Sequence, residues 1–173
     1  MTVEEKLRGL GLTVPSLEDL YRTNASGAHY ISHFAVQNML YLSGTVAIKD
    51  GRLYLPGVVG ENLTLEQGYE AARYATLTTL AAVKYALDDL DRVEQIVHLT
   101  GFVNSAPDFN DQPRVINGAA DLLVEIYGDR GKPTRAAIGC RGLGGNASVE
   151  IIVQLLFSGS DVRPPLARDH FAK

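Results

Sequence analysis

The sequence contains a single cysteine, Cys140, among 173 residues. One cysteine excludes an intrachain disulfide framework and fits a reducing compartment. There is no run of about 20 consecutive apolar residues, so we expect no helix that spans a bilayer. The N-terminal segment carries acidic residues early and lacks the continuous apolar core of a signal peptide. The sequence therefore predicts a cytoplasmic protein with no membrane partner.

Motifs for metals, nucleotides and nucleophilic catalysis are also missing. There is no CxxC, no HExxH, no paired-carboxylate motif and no serine in a nucleophile elbow. The glycine-rich run GCRGLGGN lacks the strand, loop and helix order of a phosphate-binding loop, and a hairpin turn explains its glycines more simply. We therefore expect no metal and no cofactor. The histidines, which show no metal-ligand spacing, are His29, His33, His98 and His170.

The charge balance is acidic, with 20 acidic against 16 basic residues and a formal net charge of −4. A chain of this charge does not attract a phosphate backbone over long range, so nucleic acid is not an expected partner. Hydrophobic residues make up 46% and charged residues 21% of the chain, which is typical of a globular protein. One domain of this length can bury a core without metals or disulfides.

Turn residues and hydrophobic periodicity predict the element order βββαβαββ and hence an α+β fold, with a mixed sheet and two helices on one of its faces. A hairpin turn is expected near Gln37-Asn38 and a second turn at Asp50-Gly51. A capping-box spacing at Thr64 opens the first long helix. The predicted elements after this point are a helix at 64–88, a strand at 94–103, a helix at 112–127 and strands at 134–140 and 148–157.

Three regions are distinguished along the chain. Residues 1–27 are expected to form an N-terminal extension with a short helix opened by Ser16, a possible partner in a capping box. Residues 28–157 hold the main domain, and residues 158–173 form a C-terminal extension. Two prolines in this last region argue against a continuing strand.

The last predicted strand has two unlike faces. Its alternate residues from Val149 to Leu155 are all apolar, which is typical of a face packed on helices. The other face is too apolar for plain solvent surface and too polar for ordinary core, so we expect another subunit to cover it. The residues of this mixed face are Ser148, Glu150, Ile152, Gln154 and Leu156.

Arg135 lies in the strand TRAAIGC among small and apolar neighbours, and such a guanidinium requires an anionic partner. If the last two strands form a hairpin centred near Gly142-Leu143, Arg135 lies opposite Glu150 on the mixed face. One interpretation is a cross-strand ion pair that only holds register. The other is that Arg135 offers its planar fork to a substrate carboxylate while Glu150 orients or activates water.

Several segments together resemble the Rid/YjgF family over residues 28–157. They are Ser43-Gly44-Thr45 after the strand NMLYL, GFVNSAPDF, RVINGAADLL, and Pro133-x-Arg135 followed by Val149-Glu150-Ile151. The resemblance implies a chorismate-mutase-like fold, a homotrimer and a substrate cleft between adjacent subunits.

The resemblance also implies site residues. Arg135 matches the arginine that grips the substrate carboxylate, Glu150 the glutamate associated with the catalytic water, and Tyr30 a tyrosine that reaches the cleft. Ser43 and Asn117 match further cleft or structural positions, Asn117 with a displacement of one residue. The alternative to a role in the cleft is that Tyr30 is a structural residue with a buried ring and a solvent-exposed hydroxyl.

The sequence departs from the family pattern at two places near these residues. Ala137 stands where the family commonly has a cysteine in the substrate site, and Cys140 is expected to be a core residue instead. A turn containing Gly144-Gly145 replaces the usual Leu-Pro turn and loosens the loop beside the site. Substrate preference is therefore open to change.

The function implied by the resemblance is hydrolysis of a small 2-imino or enamine carboxylic acid to a 2-oxo acid and ammonia, without a cofactor. Two alternatives remain: a pathway-specific deaminase acting on another carboxylate, and a non-catalytic protein that binds small carboxylates. Endoribonuclease activity, from which the family took an older name, is disfavoured by the acidic charge and the absence of a histidine pair.

Overall fold

The computed structural model describes residues 1–23 and 28–168, in which a mixed β-sheet carries helices on one face. The described strands are β1 (His33–Val36), β2 (Met39–Leu42), β3 (Thr45–Val46), β4 (Ile48–Lys49), β5 (Arg52–Leu53), β6 (Val93–Asn104), β7 (Thr134–Cys140) and β8 (Val149–Phe157). The main sheet has the order β1-β2-β8-β6-β7, with β3 also paired to β8. The α+β class and the mixed sheet are thus confirmed.

The described residues contain four α-helices, one more than predicted. The two long helices lie at the predicted positions. The first begins after a capping box formed by Thr64 and Gln67, and the second has a proline in its first turn. A short helix opens after Ser16, whose hydroxyl accepts a hydrogen bond from the Asp19 amide at 3.2 Å. The first helix was not predicted from the sequence. The helices are α1 (Val3–Gly9), α2 (Leu17–Thr23), α3 (Leu65–Leu87) and α4 (Gln112–Tyr127).

The pairing of the last two strands differs from the prediction. β6 lies between β7 and β8, parallel to the first and antiparallel to the second. The chain leaving Cys140 therefore crosses one end of β6 before it enters β8, and the expected β7–β8 hairpin is wrong. The order βββαβαββ also needs adjustment, because five strands rather than three precede the first long helix, and β4 and β5 form a separate two-stranded sheet.

One face of the sheet carries the core. Alternate residues of β8 from Val149 to Phe157 are buried there, as predicted, against α3 and α4. The two helices approach closely at Gly118, where a Cβ would lie 2.0 Å from the Tyr69 carbonyl oxygen. The alanine-rich face of α3 permits the same closeness to the sheet.

Both ends of the chain pack onto this core. Val3 and Leu7 of α1 are buried, and the Lys6 ammonium donates to the Ile126 carbonyl at 2.7 Å. At the other end, Ala167 forms an antiparallel bridge with Ile31. None of the helices in residues 1–23 and 28–168 is long and apolar enough to cross a bilayer.

The open face is the sheet face opposite α3 and α4. Phe34 and Tyr41 are paired across β1 and β2 on this face, and Phe34 is 60% exposed. Val36 and Ile138 are exposed as well. A single chain therefore leaves large apolar side chains of its main sheet uncovered, which is characteristic of an association surface.

Candidate functional site

The strand register separates Arg135 from Glu150. Arg135 pairs with Leu99, which pairs with Val153, so Arg135 projects from the helix-covered face. Glu150 pairs with Phe102 and projects from the open face. The expectation that both share the mixed face of one chain is wrong, because the insertion of β6 changes which residues face each other. An intrachain Arg135–Glu150 ion pair is thereby ruled out as the role of Arg135.

Arg135 lies at the sheet edge beside α4. One of its terminal nitrogens donates to the Asn117 side-chain oxygen at 2.7 Å, so the amide fixes one end of an exposed guanidinium. The other N–H groups of the fork keep a fixed direction and can bind an anion. Ala137 follows on the same face of β7, paired with Gly101. We call Arg135, Asn117 and Ala137 the arginine group.

Glu150 lies in a different place, at a cavity of about 520 Å³ beside β3. Tyr30 and Ser43 line the same cavity, as do Gly144 and Gly145 of the glycine-rich turn. We call this space the Glu150 cavity. The structure thus brings together three of the predicted site residues here, and places the arginine group elsewhere on the chain.

The Glu150 carboxylate is half-buried and faces Gly44. A Cβ at position 44 would lie 2.1 Å from Glu150 Oε1, so only glycine leaves room for the carboxylate in this position. Burial raises the pKa of the Glu150 carboxyl. Within residues 1–23 and 28–168, no hydrogen-bond donor to this carboxylate is found that would offset the burial.

Ser43 and Tyr30 have different roles at the cavity wall. The Ser43 hydroxyl donates to the Ile31 carbonyl at 2.6 Å, and the Ser43 amide donates to the Ser32 carbonyl at 3.1 Å. Ser43 therefore joins β2 to the chain before β1, while its oxygen can still accept a hydrogen bond. Tyr30 is 40% exposed, so its ring is available to a ligand at the cavity.

Several residues near Glu150 were not predicted as site residues from the sequence. Gly44 could have been found from the sequence, because it belongs to the Ser43-Gly44-Thr45 segment that contributes to the family resemblance. Leu17 and Leu20 of α2 also line the cavity, and no local pattern indicates which surface that helix covers. Cys140, expected in the core, is only partly buried; burial, with a smaller contribution from Glu150, raises the pKa of its thiol.

In the described ranges 1–23 and 28–168, no group of three or more histidine, cysteine, aspartate or glutamate side chains is placed to hold a metal ion. His98 instead bonds the hydroxyls of Thr134 and Thr100 on the open face, at 2.8 and 3.0 Å.

Glu150→Gln is expected to stabilise the fold at neutral pH. Because burial raises the pKa of Glu150, the folded state binds its proton more tightly than the unfolded state does, and stability falls as pH rises above the ordinary glutamate range. Glutamine removes this cost. The melting temperature should rise by a few degrees at pH 7 to 8, and the gain should vanish toward pH 4.

Glu94→Gln, at an exposed position of β6, serves as the control for the change in net charge. Thermal melts of both variants and of the unaltered protein at five pH values make the comparison. A Glu150→Gln variant that is less stable than the unaltered protein at pH 7 to 8 would show that the carboxylate has a stabilising partner.

The chain matches the YjgF/chorismate mutase-like family, described also as a candidate endoribonuclease family, over residues 7–153. This match covers most of the sequence and coincides with the sheet, its two long helices and both groups of site residues. The chain therefore belongs to the YjgF/chorismate mutase-like family.

Three individual proteins illustrate the relationship. Protein TCP17 of Trypanosoma cruzi is 35% identical over 150 residues, which are 86% of this chain and 90% of TCP17. The crystal structure of Atu1372 from Agrobacterium tumefaciens, of unknown function, has a TM-score of 0.81 and 34% identity, covering 90% of this chain and 92% of its own. A candidate endoribonuclease from Shewanella oneidensis MR-1 has a TM-score of 0.84 and 29% identity, with 91% and 100% covered.

Proposed function

We propose that the protein is a deaminase that hydrolyses a small 2-imino or enamine carboxylic acid to a 2-oxo acid and ammonia. The observation that carries the proposal is the half-buried Glu150 carboxylate, which faces a cavity large enough for a small molecule. A raised pKa suits a carboxyl group that must take and return a proton near neutral pH. Family membership fits a small-molecule function of this general kind.

In the proposed reaction, Arg135 holds the substrate carboxylate through its planar fork, oriented by Asn117. Glu150 accepts a proton from water as the water oxygen bonds to the imine carbon. Glu150 returns this proton to the nitrogen as the C=N bond becomes single. The new hydroxyl then loses its proton to the nitrogen as the C–N bond breaks and ammonia leaves. The remaining carbon becomes the carbonyl of the 2-oxo acid. Because such imines hydrolyse unaided, positioning and proton transfer are sufficient help.

A site that uses both Arg135 and Glu150 requires two subunits, because the two side chains leave opposite faces of one sheet. An interface that joins two different surfaces is heterologous, and it closes into a ring when the rotation permits. The homotrimer implied by the family resemblance is such a ring. The exposed Phe34, Tyr41 and Ile138 of the open face support burial against another subunit.

The proposal is tested by ammonia release from 2-iminopropionate, generated in the assay from alanine by an amino-acid oxidase. We expect hydrolysis at least about 100-fold faster than without the protein at saturating substrate, within the range of general acid–base catalysis. Binding of pyruvate without acceleration would indicate a passive carboxylate-binding protein instead. Cleavage of RNA with no ammonia release would contradict the proposal in favour of a nuclease.

A further inference from the structure

The lining of the Glu150 cavity includes both polar and aliphatic side chains, and the aliphatic ones form most of its surface. Glu150, Tyr30 and Ser43 supply polar atoms on one side. The remaining wall is contributed mainly by aliphatic side chains from α2, the β4–β5 hairpin and α3. These residues are Leu17, Leu20, Ile48, Leu53 and Ala82.

The apolar wall depends on both ends of the chain. α2 lies over the cavity and buries Leu17 and Leu20, while Tyr21 of the same helix stacks under the Arg168 guanidinium at 4.3 Å. The backbone amide of Arg168 donates a hydrogen bond to the Tyr30 carbonyl at 2.9 Å, which fixes the position of Arg168. Helix α2 and the C-terminal segment around Arg168 thus close the cavity next to Tyr30, a proposed site residue.

The glycine-rich turn keeps the cavity wide on the side of β5. Gly145 has a φ of +64°, and a Cβ there would lie 2.9 Å from Leu53 Cδ1. A larger residue at this turn would be strained and would press on the aliphatic wall. The glycine at position 145 therefore leaves the space beside Leu53 open.

The volume exceeds what a three-carbon acid needs. At about 520 Å³ the cavity lies within the roughly 300–1,000 Å³ range of sites that enclose whole drug-sized ligands. A substrate with only a methyl side chain would leave the aliphatic wall in contact with water. A branched or aromatic side chain would cover that wall and gain the free energy of apolar burial.

We propose that this cavity receives the side chain of the substrate, and that the preferred substrates are 2-imino acids with a large apolar side chain. The imine then lies toward Glu150 and the carboxylate toward Arg135 of the neighbouring subunit, while the side chain lies against α2 and the β4–β5 hairpin. This inference rests on the proposed function for the reaction. The preference for large apolar side chains that it predicts can nevertheless be measured by binding alone, without turnover.

The test compares two 2-oxo acids that differ only in the side chain, 4-methyl-2-oxopentanoate and pyruvate. Isothermal titration of the full-length protein is expected to give about 10- to 50-fold tighter binding of the larger acid, because three more carbons are buried. Equal or tighter binding of pyruvate, or no binding of the larger acid, would overturn the inference.

A cavity-filling variant locates the effect. Thr78 of α3 lines the cavity, and its hydroxyl donates to the Tyr74 carbonyl one turn earlier, at 3.3 Å. Thr78→Leu should lower the affinity ratio of the two acids by about tenfold. The same change at the exposed Thr13, in the link between α1 and α2, should leave the ratio unchanged. If Thr78→Leu fails to fold, Leu17→Trp fills the cavity from the other side.

Turnover separates this inference from the proposed function. Imines generated from leucine and from alanine are compared for ammonia release under the same conditions. Tight binding of the larger acid with no ammonia release from either imine leaves the cavity assignment standing and refutes the deaminase. Ammonia release from both at equal rates, with equal affinities, supports the deaminase and refutes the preference.

Discussion

Arg135→Lys is expected to lower kcat/KM for imine hydrolysis by about 100-fold while the melting temperature changes little. Lysine keeps the positive charge but loses the planar fork, so the bidentate contact with a carboxylate cannot form. It also cannot donate to Asn117 and to a ligand with the same fixed geometry. The exposure of Arg135 at the sheet edge means that little of the fold depends on it.

Steady-state kinetics and thermal melts of Arg135→Lys and Arg135→Ala make the measurement. Arg8→Lys serves as the matched control, because Arg8 is an exposed arginine on α1, outside both groups of site residues. Full activity in Arg135→Ala would remove the arginine from the site. A large loss of stability in either variant, with unchanged turnover, would assign Arg135 a purely structural role.

Mixed oligomers of two inactive variants should regain activity. Arg135→Ala and Glu150→Gln each disable every site in a pure oligomer, but a site between subunits needs Arg135 from one and Glu150 from its neighbour. Random assembly from equal amounts leaves both residues intact in about a quarter of the sites. Co-expression of two differently tagged chains, followed by purification through both tags, should therefore recover a substantial fraction of the unaltered activity.

The recovery depends on the opposite-face geometry. If one chain supplied both residues to its own site, no chain in the mixture would carry an intact pair, and activity would stay at the level of the single variants. Light scattering provides the independent check on assembly. A clean monomer of 18.7 kDa at micromolar concentration would contradict the shared site and the proposed trimer together.

Local patterns in the sequence predicted most of the individual elements. The Thr64–Gln67 capping box and the periodic alanines of α3 placed that helix within a residue of each end, and the alternation in β8 identified its buried face. Gln37 does occupy a hairpin turn, with a φ of +54°. These features depend on neighbours within a few positions, where side-chain spacing and backbone preference act directly.

Short elements with weak local signals were harder to predict. α1 has only seven residues, and its capping box at Thr2 and Glu5 becomes informative only once Val3 and Leu7 are seen to be buried. β3 and β4 have two residues each, and they are separate strands only because β8 and β5 offer partners. Propensity over so few positions is overridden by tertiary packing.

For the site, residue type and local context were enough to predict Arg135 as a side chain suited to bind a carboxylate and Glu150 as one suited to move a proton. They did not determine how the two side chains are arranged. Alternation along a strand shows which residues share a face of that strand, but not which strand lies beside it. Only the tertiary structure inserted β6 between β7 and β8, which sends the two side chains to opposite faces and places Glu150 at a cavity closed by the chain ends. Strand neighbours far apart in sequence are chosen by burial of the whole sheet, and that choice has no local signature.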